Sequence, residues 1–379
     1  MNIVQSSAAY EKALRLATKV DEKGLCLKHE AMAGDVFSHL RATYYRWVEL
    51  FPKNCPELAK SGSPILGVGD LHVQNFGTWR DAEGRLVWGI DDFDEADQGL
   101  SVAGDLLRLA VSSTFTSKIQ LPVSAICSAV LDGYEKGLGA TAPFVLEEKH
   151  QWLLEMAIAA LDGKSPKEFW SKWLTKKTVP LKRADMDNTA VAALTESYPI
   201  GSVPESLRGT NPAHPKGLGS LGRQRFFAYN ADWRGGPIAR EAKAAVPPAT
   251  RINEKPFVTF VDRIQQHAIR SPDPVYRVHK GWVCKAVLAT TGRIEMDNLA
   301  TDTDQAKLLR AMGHETANVH RGASGDVAPL QEAFKKLSTK VLEKSVNAMR
   351  TAIEHDWAEW KEFWNKSAEA GRVRTGRQT

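Results

Sequence analysis

The sequence predicts an α+β fold with a large, mostly helical lobe and a smaller sheet-rich lobe. Three observations carry this expectation. Apolar residues recur at helical spacing over residues 6–54 and again over 303–367. Between them the composition shifts, because residues 200–237 are crowded with Gly and Pro and run into strand-like segments. Two short apolar strands, "SPILGVGD" and "RLVWGIDDFDE", each end in a polar or acidic cluster. The expected division is 1–205 for the helical lobe, 206–300 for the small sheet lobe, and 301–379 for helices returning to the first.

Bulk properties narrow the function classes. A chain of 379 residues with 43% hydrophobic and 25% charged residues is that of a globular protein large enough for two lobes. The net charge of +5 suits an anionic small substrate such as a nucleotide and is too dilute to point to nucleic acid. Cys26, Cys55, Cys127 and Cys284 are scattered, with no CxxC pair, which argues against a disulfide framework or structural zinc and for a reducing compartment. The first 24 residues lack an uninterrupted apolar stretch, and no run of 18 apolar residues occurs anywhere. No signal peptide, no membrane association and a cytoplasmic location are therefore expected. Nothing in the sequence speaks to oligomeric state.

Taken in order, Leu14, Leu16 and Val20, then Phe37, Leu40, Tyr44, Trp47 and Leu50, mark the opening helices, which Pro52 and Pro56 punctuate. The two strands follow, joined by the turn-like "RDAEGR". From Ser101 the chain turns helical, with a second helix over Val123–Leu138 and a Trp-rich helical stretch over 143–175. "LTKKTVPLKRADMD" reads as a basic connector, and its Lys176, Lys177, Lys182 and Arg183 as a solvated face. Strand-like runs then appear at "RFFAYNADW", "PIAREAKAAV", "VYRVHKGWVCKAVLAT" and "GRIEMDNL", with a helix near 257–269. The last helix carries Ile353, Trp357, Trp360 and Trp364 on one stripe, read as core. The tail from Ala370 is expected to fray.

The chemistry concentrates in "GVGDLHVQNFG" and "IDDFDEAD". Asp70 and Asn75 stand at the Asp-x-x-x-x-Asn spacing of a phosphotransferase catalytic loop, where the Asp accepts the proton of the attacking hydroxyl and the Asn holds a metal ion. Mg²⁺ prefers hard oxygen ligands, and Asp92, with Asp94 and Asn75, would supply them. Strand alternation would turn Asp91 and Asp94 away from Asp92. His72 reads first as a loop-orienting or structural residue. Asp105, in "GDLLRLA", either occupies a helix N-terminus or holds the catalytic loop by hydrogen bonds. His314, Glu315 and His320 do not have the spacing of a zinc pair.

Downstream, Gly217, Gly219 and Gly222 form a G-x-G-x-x-G followed by a strand, which allows backbone N–H groups to approach phosphates. A preceding buried strand and a following helix are both missing, which excludes a dinucleotide-binding reading. Lys243 lies on the next strand-like run, placed to set a positive charge on α/β-phosphates. Its acidic partner is expected at Glu254 or Glu241.

"GDLHVQNFG", "IDDFDEA" and "GDLLRLA" resemble the catalytic loop, metal-binding strand and following helix of the aminoglycoside phosphotransferase and choline kinase group. More closely they resemble the bacterial family known only as domain of unknown function 2252, with its Gly-Asp-x-His-x-x-Asn-Phe-Gly and Asn-Asp-Phe-Asp-Glu signatures. Here Asp91 stands where that family usually has Asn, and Asp92 is the matching acid. "AKLLRAMGHETANVHRG" resembles the helix that precedes the catalytic loop in aminoglycoside kinases, yet it follows the glycine loop. The implied fold is a protein-kinase-like, two-lobed one, circularly permuted so that the catalytic motifs come first. The implied activity is ATP- and Mg²⁺-dependent phosphoryl transfer to an unidentified hydroxyl acceptor, small molecule or protein. Nucleotidyl (AMP) transfer, nucleotide binding without catalysis, and metal-dependent phosphohydrolysis are the alternatives.

Overall fold

A computed structural model describes residues 1–379 apart from 162–164, 200–202, 215–216 and 376–379, with side chains to residue 367. The fold is a mixed α+β one. Four helices open the chain, Ile3–Ala17, Glu22–Gly34, Val36–Ala42 and Tyr44–Asn54. They are separate because capping residues interrupt the apolar run. Asn2 accepts from the Gln5 amide at 2.9 Å, and Asp35 accepts from Ser38 N at 2.8 Å, each ending a competing backbone path.

Eleven strands follow: β1 (Ile65–Gly67), β2 (Phe76–Arg80), β3 (Leu86–Ile90), β4 (Asp97–Leu100), β5 (Phe144–Val145), β6 (Thr178–Leu181), β7 (Ser206–Thr210), β8 (Arg225–Trp233), β9 (Gly236–Ala244), β10 (Arg277–His279) and β11 (Trp282–Val287). β1 pairs with β4, and β2-β3-β5 form a three-stranded sheet. The six-stranded sheet has the order β10-β11-β9-β8-β7-β6, with every pairing antiparallel.

That sheet begins earlier than position 206. β6 comes from the stretch expected to be a basic connector, and helix Asn188–Glu196 covers one sheet face. Alternation along β8 explains both layers: Phe226 and Ala228 pack with Ala190 and Leu194, while Phe227 packs with Trp170 and Trp173 on the other face. The small lobe is therefore a three-layer unit that starts near Trp170. Lys176, Lys177, Lys182 and Arg183 are exposed, as a solvated face should be.

Helices Val102–Thr114, Val123–Gly139, Asp302–Ser324 and Thr339–Thr375 build the core of the large lobe. Helices 123–139 and 302–324 meet without intervening side chains. A Cβ on Gly133 would fall 2.0 Å from Arg310 O, and one on Gly313 would fall 2.2 Å from Val130 O. The close crossing seats helix 302–324 beneath β1 and β3. Trp360 is buried and its indole donates to His29 O at 3.1 Å, so the tryptophan stripe is core.

Other expectations differ in detail. "GRIEMDNL" contains a short 3-10 turn at Met296–Asn298 and no strand, because Arg293 and Glu295 turn toward Asp91 and Gln74. The stretch 143–175 is broken by β5 and by separate helices at Leu146–Lys149, Gln151–Ala160 and Pro166–Lys172. The tail is helical to Thr375, and its last four residues lie outside the described ones. No helix among the described residues is long and apolar enough to cross a membrane.

Candidate functional site

β1 delivers the chain into a loop held from below by Asp105. Its carboxylate accepts from Val68 N at 2.7 Å and Gly69 N at 3.0 Å, and pairs with His320 Nε2 at 2.9 Å. The Tyr134 hydroxyl meets His320 Nδ1 at 2.9 Å. All three side chains are buried, so the loop rests on a dry, satisfied network. Asp105 therefore does more than occupy the first turn of its helix.

Gly69 has φ +83°, and a Cβ there would lie 2.3 Å from Glu95 O. Gly69→Ala is accordingly expected to destabilise the fold by about 1–3 kcal/mol from backbone strain alone. Urea unfolding of the variant measures it.

Asp70 follows. Arg108 Nε donates to its Oδ1 at 2.8 Å, and Arg108 Nη2 binds the same oxygen. The Arg108 guanidinium stacks on Tyr44 and Trp47, each with a ring centroid at 4.9 Å, which fixes the carboxylate it holds. Burial raises the Asp70 pKa above the usual carboxylate value, against the lowering influence of Arg108. A raised pKa strengthens it as a proton acceptor. His72 is kept neutral by burial and by the nearby Arg41 and Arg108 charges, and its Nδ1 accepts from Gln74 N at 3.2 Å. Its role in this loop is that of an orienting cap.

Asn75 closes the loop. Its carbonyl accepts from Asp91 N at 2.7 Å, tying the loop to the acidic segment. β3 ends at Ile90, so Asp91, Asp92 and Asp94 lie in an irregular turn, and strand alternation does not separate them. All three face the same cavity. The Oδ1 atoms of Asn75, Asp91 and Asp94 are buried without a hydrogen-bond partner among the described residues. Orphaned, hard oxygen acceptors beside an ionised carboxylate are what a divalent cation such as Mg²⁺ needs, and the residues fit it. Burial alone would raise the Asp92 pKa, yet the charges of Lys243 and Lys285 hold it below the usual carboxylate range.

Lys243 reaches Asp94. Its ammonium pairs with Asp94 Oδ2, and both terminal nitrogens of Arg223 donate to that oxygen at 2.9 Å. Its partner is therefore neither Glu254 nor Glu241. Glu254 pairs with Arg251 at 2.9 Å, and Glu241 with Arg225. Glu254 follows the 3-10 turn Ala249–Arg251, away from β9, whereas Glu241 lies two residues before the lysine on β9 itself. The acidic turn thus supplies the anion that orients the lysine.

The glycine segment joins β7 to β8. Gly217 and Gly219 line the cavity, and a Cβ on Gly219 would come within 3.7 Å of Asp70 Oδ2. Gly222 does not line it. Its carbonyl accepts from Asp21 N at 2.8 Å, and a Cβ there would strike Leu25. The third glycine therefore serves packing against the opening helices. Lys28 donates to Gly219 O at 3.3 Å, its ammonium 5.6 Å from the ring centroid of each of the stacked Tyr10 and Tyr45.

The result is one cavity of about 470 Å³, lined by Asp70, His72, Asn75, Asp91, Asp92, Asp94, Gly217, Gly219 and Lys243 among others. Asp105 and Gly222 stand behind its wall. Lys and Arg outnumber carboxylates in the lining. Sequence reasoning missed Arg223, Arg225, Lys285, Arg293, Arg41 and Lys28, for which no spacing rule exists. Among the described residues, the only clustered His, Asp and Glu side chains that meet metal-site distances are His355, Asp356 and Glu359. Asp356 is already engaged by Arg46 at 2.6 Å, and the trio is far from this cavity in the chain.

Glu315 lies beneath the acidic segment, accepting from Ile90 N at 3.4 Å and Asn318 Nδ2 at 3.0 Å. Burial lifts its pKa from 4.5 to about 7. Between these values the folded state keeps a proton that the unfolded state has lost, so its contribution to stability falls as pH rises. Glu315→Gln should therefore gain stability relative to wild type between pH 4.5 and 7, as read from melting temperatures across that window.

Residues 20–198 match the family model of DUF2252, described as an uncharacterized protein conserved in bacteria. Over this segment the chain is similar to the DUF2252 family. The segment is a little under half of the chain. The DUF2252-like segment holds Asp70, Asn75, Asp92, Asp94 and Asp105, while the glycine loop and Lys243 lie beyond it. No curated protein and no solved structure matches the chain.

Proposed function

We propose that the cavity binds ATP with Mg²⁺ and that the protein transfers the γ-phosphoryl group to a hydroxyl acceptor. One observation carries the reading: Asp70, Asn75, Asp92, the glycine loop and Lys243 line a single cavity although they lie far apart in the chain. The volume suits a nucleotide-sized ligand.

In this reading Asp70 positions the acceptor hydroxyl and takes its proton as the oxygen forms its bond to the γ-phosphorus. The bond from that phosphorus to the β–γ bridging oxygen breaks, and its electron pair leaves with ADP. Asn75 and Asp92, with Oδ1 of Asp94, would hold a divalent cation, which when bound would supply neutralisation of the charge developing on the phosphates. Lys243 and the backbone of the glycine loop hold the remaining phosphate oxygens. Arg108 fixes Asp70, and Asp105 with His320 fixes the loop.

Two features support a kinase-like arrangement. The glycine loop connects adjacent antiparallel strands and the lysine sits on the strand after them, as in protein kinases. Helix Asp302–Ser324 supplies His320 to the base of the catalytic loop, so the helix that would precede the loop in an unpermuted chain stands beside it in space. Both agree with a permuted kinase order.

Phosphorus NMR of Mg·ATP with the purified protein and a panel of small hydroxyl compounds, each read against a control without the compound, tests the reading. Formation of ADP with loss of the γ-signal is expected. Release of AMP-containing product and pyrophosphate would assign nucleotidyl transfer instead. Binding without consumption would assign a non-catalytic nucleotide site, and consumption undiminished in Lys243→Ala would assign phosphohydrolysis by the acidic cluster alone.

A further inference from the structure

The cations of the cavity fall into two groups. On the glycine-loop side each has a partner: Lys243 and Arg223 hold Asp94, Arg225 holds Glu241, and Lys285 donates to Asp91 O. On the side of Asp70 nearest the opening helices the pattern differs. Arg41 lines the cavity, its Nε is buried, and among the described residues it has no hydrogen-bond or ion-pair partner. Its guanidinium only lies over the Phe37 ring, at 5.5 Å. Arg293 approaches Asp91 no closer than 3.7 Å. Lys28 is 4% exposed, and its ammonium meets a single carbonyl oxygen, that of Gly219.

Arg293 keeps Asp91 as its counter-charge, whereas Arg41 has no carboxylate in ion-pair contact among the described residues, an arrangement that an anion on Arg41 would relieve. Arg293 lies close enough to Arg41 to disfavour its charge, and Asp70 feels Arg41 as an attraction. The opening helices that carry Arg41 and Lys28 also close over the glycine loop, through Lys28 to Gly219 O and Asp21 N to Gly222 O. A folded protein chain presenting a side chain to Asp70 would have to displace them.

We infer that the acceptor is a small hydroxyl compound that already carries a phosphate group, with Arg41, assisted by Lys28 and Arg293, binding that phosphate beside Asp70. The inference rests on the phosphotransfer reading. A planar guanidinium fork with free N–H groups matches phosphate oxygens, and several cations favour a dianion over a carboxylate. A cationic acceptor such as an amino sugar is disfavoured by the same charges.

Thermal unfolding with inorganic phosphate as probe tests it, in the presence of saturating non-hydrolysable ATP analogue and Mg²⁺, against chloride at equal ionic strength. Wild type should gain a further rise in melting temperature from phosphate. Arg41→Gln should keep the nucleotide shift and bind phosphate about tenfold or more weakly, as for loss of a charge-assisted contact. Lys28→Gln, on a different helix, should weaken phosphate in the same direction and guards against a folding defect in the first variant. No phosphate increment in wild type, or an increment unchanged in both variants, overturns the inference. Loss of the nucleotide shift in Arg41→Gln also overturns it, since Arg41 would then serve the nucleotide. A wild type that responds to phosphate but not to the nucleotide analogue contradicts phosphotransfer itself, and with it the assignment of this anion site to an acceptor.

Discussion

Asp92→Ala lowers Mg²⁺-dependent turnover on the order of 10²-fold or more, the loss typical of one preorganised electrostatic group. The size follows from where Asp92 sits. It is ionised under all ordinary conditions because Lys243 and Lys285 favour its charge. It also lines the cavity with Asn75, whose amide oxygen is buried without a hydrogen-bond partner among the described residues. Removing it leaves only the Oδ1 atoms of Asn75, Asp91 and Asp94 as hard acceptors for a cation that demands near-octahedral coordination. The fold should survive, since no hydrogen bond to another element depends on Asp92; its Oδ1 accepts only from Asp94 N at 3.1 Å. Steady-state rates at several Mg²⁺ concentrations, with a melting curve as control, measure the effect.

Asp94→Ala behaves differently and destabilises the protein by about 3–5 kcal/mol, the penalty for leaving buried charges without their partner. Lys243 and Arg223 are 4% and 5% exposed at the side chain, and both converge on one oxygen of Asp94. Among the described residues, this carboxylate is the acid that ties the acidic turn to β9 and to the segment leading into β8. Its removal strands two cations in the interior and uncouples the lobes at the site. Asp94→Asn keeps the shape, so it separates lost charge from lost volume. Urea unfolding gives the stability change, and a fall in nucleotide affinity should accompany it because Lys243 loses its orientation.

The parts of the site that were legible in the sequence are those whose chemistry demands fixed spacing on one continuous segment. Asp70 with Asn75, the acids after Ile90, and the glycines before a strand are of this kind, although the acids lie in a turn beyond β3 and not on the strand expected for them. What was not legible depends on long-range packing. Arg108 reaches Asp70 only because Tyr44 and Trp47, from another helix, guide its guanidinium. His320 reaches Asp105 only because Gly133 and Gly313 let two helices nearly touch. The partner of Lys243 was sought nearby in sequence and lies instead in the acidic turn. The start of the six-stranded sheet was not legible for a related reason: β6 is four residues long, contains Pro180 and is flanked by Lys176, Lys177, Lys182 and Arg183, and only pairing with β7 makes it a strand.

The most direct test of a shared nucleotide site is thermal unfolding of wild type, Asp92→Ala and Lys243→Ala with a non-hydrolysable ATP analogue and Mg²⁺. Ligand at 100 times its dissociation constant should stabilise wild type by about 2.7 kcal/mol. Phosphotransfer at this cavity predicts that wild type is stabilised and that both variants lose most of that shift, one through the cation and the other through the phosphates. A wild type that does not respond, or a shift that both variants retain in full, would contradict it.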